Sequence, residues 1–172
     1  MIIRIRIIIL VLLSSQSSFS QDIFESVRSG DTDRLEILYG MNHDTLEATN
    51  SNGFTPLIIA TYRNQLACVK FLIEHNVNVN RSSQEGTALV GACYKGNLDI
   101  IRLLLNNGAE VDAVGSNGST ALIYAVLANN KELVKLLMEY KADPNKKDNK
   151  ELSSMEYAAK RDKKELVKIM SR

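Results

Sequence analysis

The chain of 172 residues has no tryptophan, only two prolines, two cysteines and two histidines, and an aromatic content of 6%. With so few rings, a core has to be closed by Leu, Ile, Val and Ala at short spacing, which suits packed helices. Histidine is the commonest general acid or base. The two present, His43 and His75, belong to no recognisable triad and are expected to lie solvated near helix ends. Two cysteines and two scattered histidines also give no zinc spacing. Neither sign of charge dominates: 21 basic and 20 acidic side chains leave a formal charge of +1. No global field therefore recruits nucleic acid or an anionic membrane, and any electrostatic preference has to be local. At this length, with 45% hydrophobic residues, one compact unit or repeat array is expected rather than two sizeable domains.

There is no long hydrophobic run either. Arg4 and Arg6 precede an apolar stretch from Ile7 to Leu13, followed by a polar segment with small Ser18 and Ser20 just before Gln21. That order is the pattern of a secretory leader cleaved after Ser20. A bilayer span needs about 20 apolar residues, so a membrane anchor is the weaker reading. No cysteine stands near the cleavage point to suggest a lipoprotein. Removing residues 1–20 leaves 19 basic against 20 acidic groups. Export to a periplasm or beyond the cell is the expectation, and in such compartments paired cysteines become disulfides. Cys68 and Cys93 both fall at inward repeat positions, so two buried thiols are the simpler reading, with a Cys68–Cys93 bond the alternative.

What the sequence does contain is self-similarity. Gly53-Phe54-Thr55-Pro56-Leu57-Ile58-Ile59-Ala60 recurs as Thr87-Ala88-Leu89-Val90-Gly91-Ala92 and Thr120-Ala121-Leu122-Ile123-Tyr124-Ala125, then in degraded form as Ser153-Ser154-Met155-Glu156-Tyr157-Ala158. The steps are 32, 33 and 33 residues, a period that marks a stacked array of supersecondary units. The second half of each period recurs too, as in Asp99-Ile100-Ile101-Arg102-Leu103-Leu104-Leu105 and Glu132-Leu133-Val134-Lys135-Leu136-Leu137-Met138. Its apolar residues lie at helical spacing and give one buried stripe per helix. Thr or Ser opens each first helix as an N-cap, with Pro56 once at the first helical position. Gly108 ends one second helix with a residue suited to a left-handed turn, and Asn76 and Lys141 stand in its place elsewhere. The period thus reads as turn, short helix, turn, longer helix.

Gly53-x-Thr55-Pro56-Leu57-x-x-Ala60, with Gly96-Asn97-Leu98-x-Ile100-Ile101-x-Leu103-Leu104-x-x-x-Gly108-Ala109-x-Val111-Asp112, resembles the ankyrin repeat over residues 50–172. The segment from Ile23 through Gly30-Asp31 to Leu38 resembles an N-terminal capping repeat, in which Val27, Leu35 and Leu38 close one end. Several departures stand out: Glu85 replaces the hairpin glycine, Ala88 and Ala121 replace proline, the helix histidine is absent at Ile58, Val90, Ile123 and Glu156, and the last copy lacks the Thr-Pro-Leu core. The resemblance implies an all-α solenoid of about five stacked helix-turn-helix units with short hairpin loops. Its expected parts are a cap over residues 22–48 and repeats over 50–81, 82–114, 115–147 and 148–172, forming one domain. Lys163, Lys164 and Lys168 are expected to give the last helix a polar outer side.

Family binding surfaces are concave and use residues four, three and one before the repeat Thr and seven and eight after it. Here the hairpin set is Ser51, Asn52, Phe54, Ser83, Gln84, Gly86, Ser116, Asn117, Ser119, Asn149, Lys150 and Leu152. The helix set is Tyr62, Arg63, Tyr94, Lys95, Leu127, Ala128, Lys160 and Arg161, joined by Arg28 and Ser29 of the cap. Tyr62 and Tyr94 share a column flanked by Arg63 and Lys95, with Phe54 on an exposed finger. Aromatic and Arg side chains of this kind are favoured at interface hot spots, and cations pair with carboxylates. The partner implied is a protein with an acidic or protruding surface, bound by a monomer; an ordinary solvated face is the alternative reading.

Other chemistry finds little support. Gly115-Ser116-Asn117-Gly118-Ser119 lacks the lysine of a phosphate loop and reads as a hairpin turn. Asp143 to Asp148 lacks calcium-loop spacing. Asn80-Arg81-Ser82 and Asn117-Gly118-Ser119 are glycan-acceptor patterns, relevant only to a eukaryotic secretory route. The sequence therefore points to a non-catalytic binding module without cofactor or metal, ahead of a structural spacer, an anionic-polymer binder or an enzyme.

Overall fold

The computed structural model describes residues 21–171. The leader expected over residues 1–20 lies outside the described residues. Two compact units divide the chain, one ending at Val77 and the other beginning at Asn78, and each is described by itself.

In the first unit, helix α1 (residues 21–29) and α2 (Thr32–Met41) pair up and are followed by a 3-10 turn at His43–Glu47. A second pair, α3 (Pro56–Tyr62) and α4 (Leu66–Glu74), completes it. Gly30 turns the chain between α1 and α2 with φ 82°. A Cβ there would strike Oε1 of Gln65 at 2.5 Å, and Gln65 Nε2 donates to the Arg28 carbonyl at 3.0 Å. This bond ties the turn of one helix pair to the turn of the next. Ile23, Val27, Leu35, Leu38, Leu57, Ala60, Cys68, Val69 and Leu72 are buried, so the three residues expected to close the cap do so.

The second unit holds three pairs: α5 (Ala88–Lys95) with α6 (Leu98–Asn106), α7 (Ala121–Leu127) with α8 (Lys131–Glu139), and α9 (Ser154–Lys160) with α10 (Lys164–Met170). α7 packs against both α5 and α9, and α10 against both α8 and α9. Leu89, Ile100, Ile101, Leu104, Leu122, Ile123, Leu133 and Leu136 lie fully inside. Each such side chain contributes about 1.5 to 3 kcal/mol of burial free energy, which one pair alone cannot collect. On α10, Lys164 and Lys168 are exposed and Leu166 and Met170 turn inward, while Lys163, the residue just before the helix, is half-buried. Among the described residues there is no strand, only isolated bridges at the hairpins.

The caps expected from sequence form. The hydroxyls of Thr55, Thr87, Thr120 and Ser153 accept from the N–H three residues on, and Glu156 returns the bond to Ser153 to complete a capping box. Nine residues after each cap the chain turns left-handed, at Asn64, Gly96, Asn129 and Asp162, with φ of 62°, 74°, 54° and 52°. Asn76, Gly108 and Lys141 do the same after the second helices, at 58°, 84° and 63°.

One hairpin departs from expectation. Gly53, Gly118 and Glu151 are left-handed two residues before their caps, but in the copy leading to Thr87 the left-handed residue is Gly86, at φ 112°, and not Glu85. Ser83 and Gly86 exchange N–H to carbonyl bonds of 3.0 and 3.2 Å across a two-residue loop. The other hairpins of this unit bridge more widely, Val114 to Thr120 and Lys147 to Ser153. This hairpin has lost a residue, which explains the step of 32, so Glu85 belongs to a shorter turn and does not substitute for a turn glycine.

Loops within the second unit are stitched together by one recurring device. Asn80 Nδ2 donates to the Gly108 carbonyl at 2.9 Å, and its Oδ1 accepts from the Glu110 N–H at 2.8 Å. One period later Asp112 accepts from the Asp143 N–H at 3.0 Å. Both ends of the Asn80 amide serve this link. Cys68 and Cys93 are buried free thiols, and burial pushes both up from the ordinary range, with the Asp31 charge adding to the effect at Cys68.

Candidate functional site

The α3 helix of the first unit ends seven residues after its cap, where the chain leaves the core, so Tyr62 is 49% exposed and Arg63 beside it is exposed. Arg28 and Ser29 are exposed at the end of α1, with Arg28 Nη1 3.7 Å from Glu25. Phe54 does not stand out as a finger: it is half-buried. Its N–H donates to Asn50 Oδ1 at 3.0 Å, and its carbonyl accepts from the Asn50 N–H at 3.1 Å, pinning the hairpin.

The same column is inward-facing in the second unit. Gly86 and Ser119 are buried and Leu152 is half-buried, contrary to their expected place among surface contacts. The cause is local: the residue just before each cap lies where the hairpin folds back under its neighbour. A Cβ on Gly86 would come within 2.9 Å of the Gly115 Cα. Of the expected hairpin set, Ser51, Asn52, Gln84, Ser116, Asn117, Asn149 and Lys150 are exposed, and Ser83 is half-buried.

In the second unit Tyr94 is 64% exposed at the end of α5. Lys95 Nζ stands 6.0 Å from the centre of its ring, within range of a cation–π attraction. The edge of one ring meets the face of the other between Tyr94 and Tyr124, at 5.9 Å and 87°, a geometry favoured by the ring quadrupoles. Sequence reasoning did not single out Tyr124. The available signal was its recurrence as Tyr157, each four residues after a cap. Both hydroxyls reach their own hairpin, Tyr124 to Asn117 Oδ1 at 3.2 Å and Tyr157 to Asp148 Oδ2 at 2.8 Å. Burial pushes the Asp148 carboxyl up, but bonds from Tyr157 and from the Leu152 and Lys150 N–H groups outweigh it and hold the group below its ordinary value. Leu127 is half-buried and its carbonyl accepts from Arg161 Nη1 at 3.4 Å. Ala128, Lys160 and Arg161 are exposed. Tyr94, Lys95 and Tyr124 thus form one cluster, Leu127 and Arg161 another, while Tyr62 and Arg63 belong to the first unit.

His43 is solvated as expected, whereas His75 is less so. Tyr39 contacts His43 at 4.4 Å and His75 at 4.3 Å between ring centres, and His75 stacks on Phe71 at 4.2 Å. His43 is exposed and His75 half-buried. Among the described residues no group of three or more His, Cys, Asp or Glu side chains comes together to hold a metal. The carboxyls considered for calcium are engaged in separate turns, Asp143 with the Asn145 N–H and Asp148 with those of Lys150 and Leu152. Among the described residues no helix is long and apolar enough to cross a membrane.

Helix pairs on a period of about 33, each with a Thr or Ser cap and a hairpin before it, agree with a family model described as ankyrin repeats (3 copies), which matches residues 23–114 and 107–171. The chain belongs to the ankyrin-repeat family. Similar proteins include the ankyrin repeat and SAM domain-containing protein 6 of Rattus norvegicus, 34% identical over 99 residues, or 56% of this chain and 11% of that protein. The ankyrin repeat and SOCS box protein 2 of Mus musculus is 33% identical over 101 residues, covering 58% of this chain and 16% of the relative. Protein phosphatase 1 regulatory subunit 27 of Mus musculus is 28% identical over 103 residues, 58% of this chain and 67% of its own length. The chain thus spans only about a tenth to a sixth of the first two relatives. Ankyrin repeats mark it as a protein–protein interaction module.

Proposed function

We propose that this ankyrin-repeat protein acts after export, in a periplasm or outside the cell, as a non-catalytic monomer that binds another protein through the hairpin-side, concave face of its repeats. The observation that carries this reading is Tyr94: a large ring 64% exposed, beside Lys95 and braced edge-on by Tyr124. Exposed aromatic area of this kind is favourable to bury and loses little rotamer freedom. Tyr62 with Arg63 repeats the pairing in the first unit, and Lys160 and Arg161 add positive charge in the second. A partner presenting acidic groups or a protruding loop fits these side chains, whether the outcome is inhibition of a toxin or enzyme or support of another exported protein. Export rests on the charged start, short apolar run and small residues of the first 20 positions.

The test is a pull-down from the exported fraction of the source using the native chain beside a variant carrying Tyr62→Ala, Arg63→Ala, Tyr94→Ala and Lys95→Ala. Capture by the native chain and loss by a still-helical variant is the expected result. Equal capture by both would move the site to another face. Absence of any partner would favour a structural spacer, and capture that collapses steeply with salt would favour an anionic polymer.

A further inference from the structure

The cap helix α2 packs on α4 and on the 3-10 turn that follows it. Leu35 and Leu38 are buried there, and Tyr39 is turned toward Phe71 and His75 of α4. Ile37 and Met41 stand two residues to either side of Tyr39. At about 100° per residue both lie on the opposite side of the helix, where they are 64% and 63% exposed. Being one turn apart, they form a single apolar stripe, and exposed Gly40 beside them adds no side chain to hold a partner off. The end of a repeat array is ordinarily polar on its outer side, because no further repeat stacks on it. In α2 this stripe interrupts the polar surface.

The first unit itself shows what such a stripe receives. Gly30 and Asn64 both turn left-handed just before the caps of α2 and α4. The two helices therefore run in register 34 residues apart, buried Leu35 with Val69 and Leu38 with Leu72. Ile37 and Met41 correspond to Phe71 and His75. Those two side chains flank a ring on the preceding helix, that of Tyr39, at 6.5 and 4.3 Å between ring centres. On α2 the branched chain of Ile37 and the thioether of Met41 offer a similar grip, since sulfur packs favourably on an aromatic ring. The pair α1 and α2 is the first among the described residues, so no earlier pair supplies the ring.

Charge narrows the occupant further. Residues 22–47 carry seven acidic side chains and, besides His43, two basic ones. Both arginines are engaged within the cap, Arg34 with Asp22 at 2.7 Å and Arg28 with Glu25 at 3.7 Å. Asp33, Glu36 and Asp44 are exposed. This excess is opposite in sign to Lys95, Lys160 and Arg161, so a partner suited to those residues is disfavoured at the cap.

We propose that the outer side of α2 is a second docking surface, and that its occupant is a basic amphipathic helix of a partner protein with an aromatic side chain seated between Ile37 and Met41. The ring takes the place that Tyr39 takes against α4. Lysine or arginine on the incoming helix pairs with Asp33 and Glu36. The inference goes beyond the concave-face reading and does not depend on it.

The test is selection of helical peptides, displayed as a library randomised along one face, against the full chain. Enriched peptides are expected to carry one aromatic residue flanked by Lys or Arg, and to bind the variant Ile37→Gln with Met41→Gln at least about tenfold more weakly. Both substitutions fall at exposed positions. Asp33→Lys with Glu36→Lys is expected to weaken the same peptides at least about tenfold, which keeps the test open should the first variant misfold. The variant with Ala at Tyr62, Arg63, Tyr94 and Lys95 is expected to bind them at full strength. Acidic peptides, peptides without an aromatic residue, or full binding by the folded Gln variant would overturn the proposal. So would self-association of the chain that the Gln variant abolishes, because a second copy would then cover the stripe. If every enriched peptide depends on Tyr94 and none on Ile37 and Met41, this inference fails and the concave-face reading stands.

Discussion

Thr61 carries a hydroxyl into a column that its counterparts, Cys93 and Val126, fill without one. It is 1% exposed, and its Oγ1 has no hydrogen-bond partner. A buried, unsatisfied hydroxyl costs about 1 to 3 kcal/mol, so Thr61→Val is expected to stabilise the first unit by about 1 kcal/mol, measured by urea denaturation. Cys93 offers a second test at this scale. Burial raises the thiol in the folded state above its ordinary value of 9.0, so the contribution is fully present below pH 9.0 and is lost as pH rises beyond it. There the unfolded chain ionises while the folded chain holds its proton, at a cost of about 1.4 kcal/mol per pH unit. Cys93→Val, which copies Val126, is expected to remove that part of the alkaline slope; an unchanged slope would show that the thiol is not sealed. Residues were legible from sequence where the period alone placed them, as with exposed Tyr62, Tyr94 and Arg161 and the two buried thiols. Phe54 and Tyr124 were not, because a ring one position before a cap or four after it can cover core or face solvent, and only packing decides.

The first helix of each repeat begins on chemistry that sequence displays openly. The caps at Thr55, Thr87, Thr120 and Ser153 and the left-handed turns at Asn76 and Gly108 formed where their residue types pointed, and Lys141 turns left-handed where only its place in the register pointed. The short hairpin at Ser83–Gly86 was hidden, because aligning copies on the Thr forces Glu85 opposite glycine even though one residue is missing upstream. Glycines at the two ends of α5 separate backbone strain from collision. Gly96, at φ 74° with nothing near its missing Cβ, is expected to tolerate alanine at a cost of roughly 1 to 2 kcal/mol. Gly86→Ala should cost clearly more, since its Cβ would press on backbone of the next hairpin at 2.9 Å. Thermal melts of the two variants check this, and similar losses would mean that the Gly115 backbone yields easily.

At the scale of the molecule, the period of about 33 residues made the family and the all-helical architecture readable before any coordinates, because each pair needs a neighbour to bury its apolar face. The identity of a partner is not written in that period. The stacking residues repeat because they face each other, whereas exposed residues such as Tyr94 and Lys95 are under no such demand. The most direct test of the central claim is therefore site-specific photo-crosslinking in the exported fraction, with a benzophenone side chain placed at Tyr94 or, as a control, at exposed Lys135 on α8. One adduct of defined mass formed from position 94 and absent from position 135 is the expected result. An adduct formed from position 135 and not from 94 would contradict the assignment of the binding face.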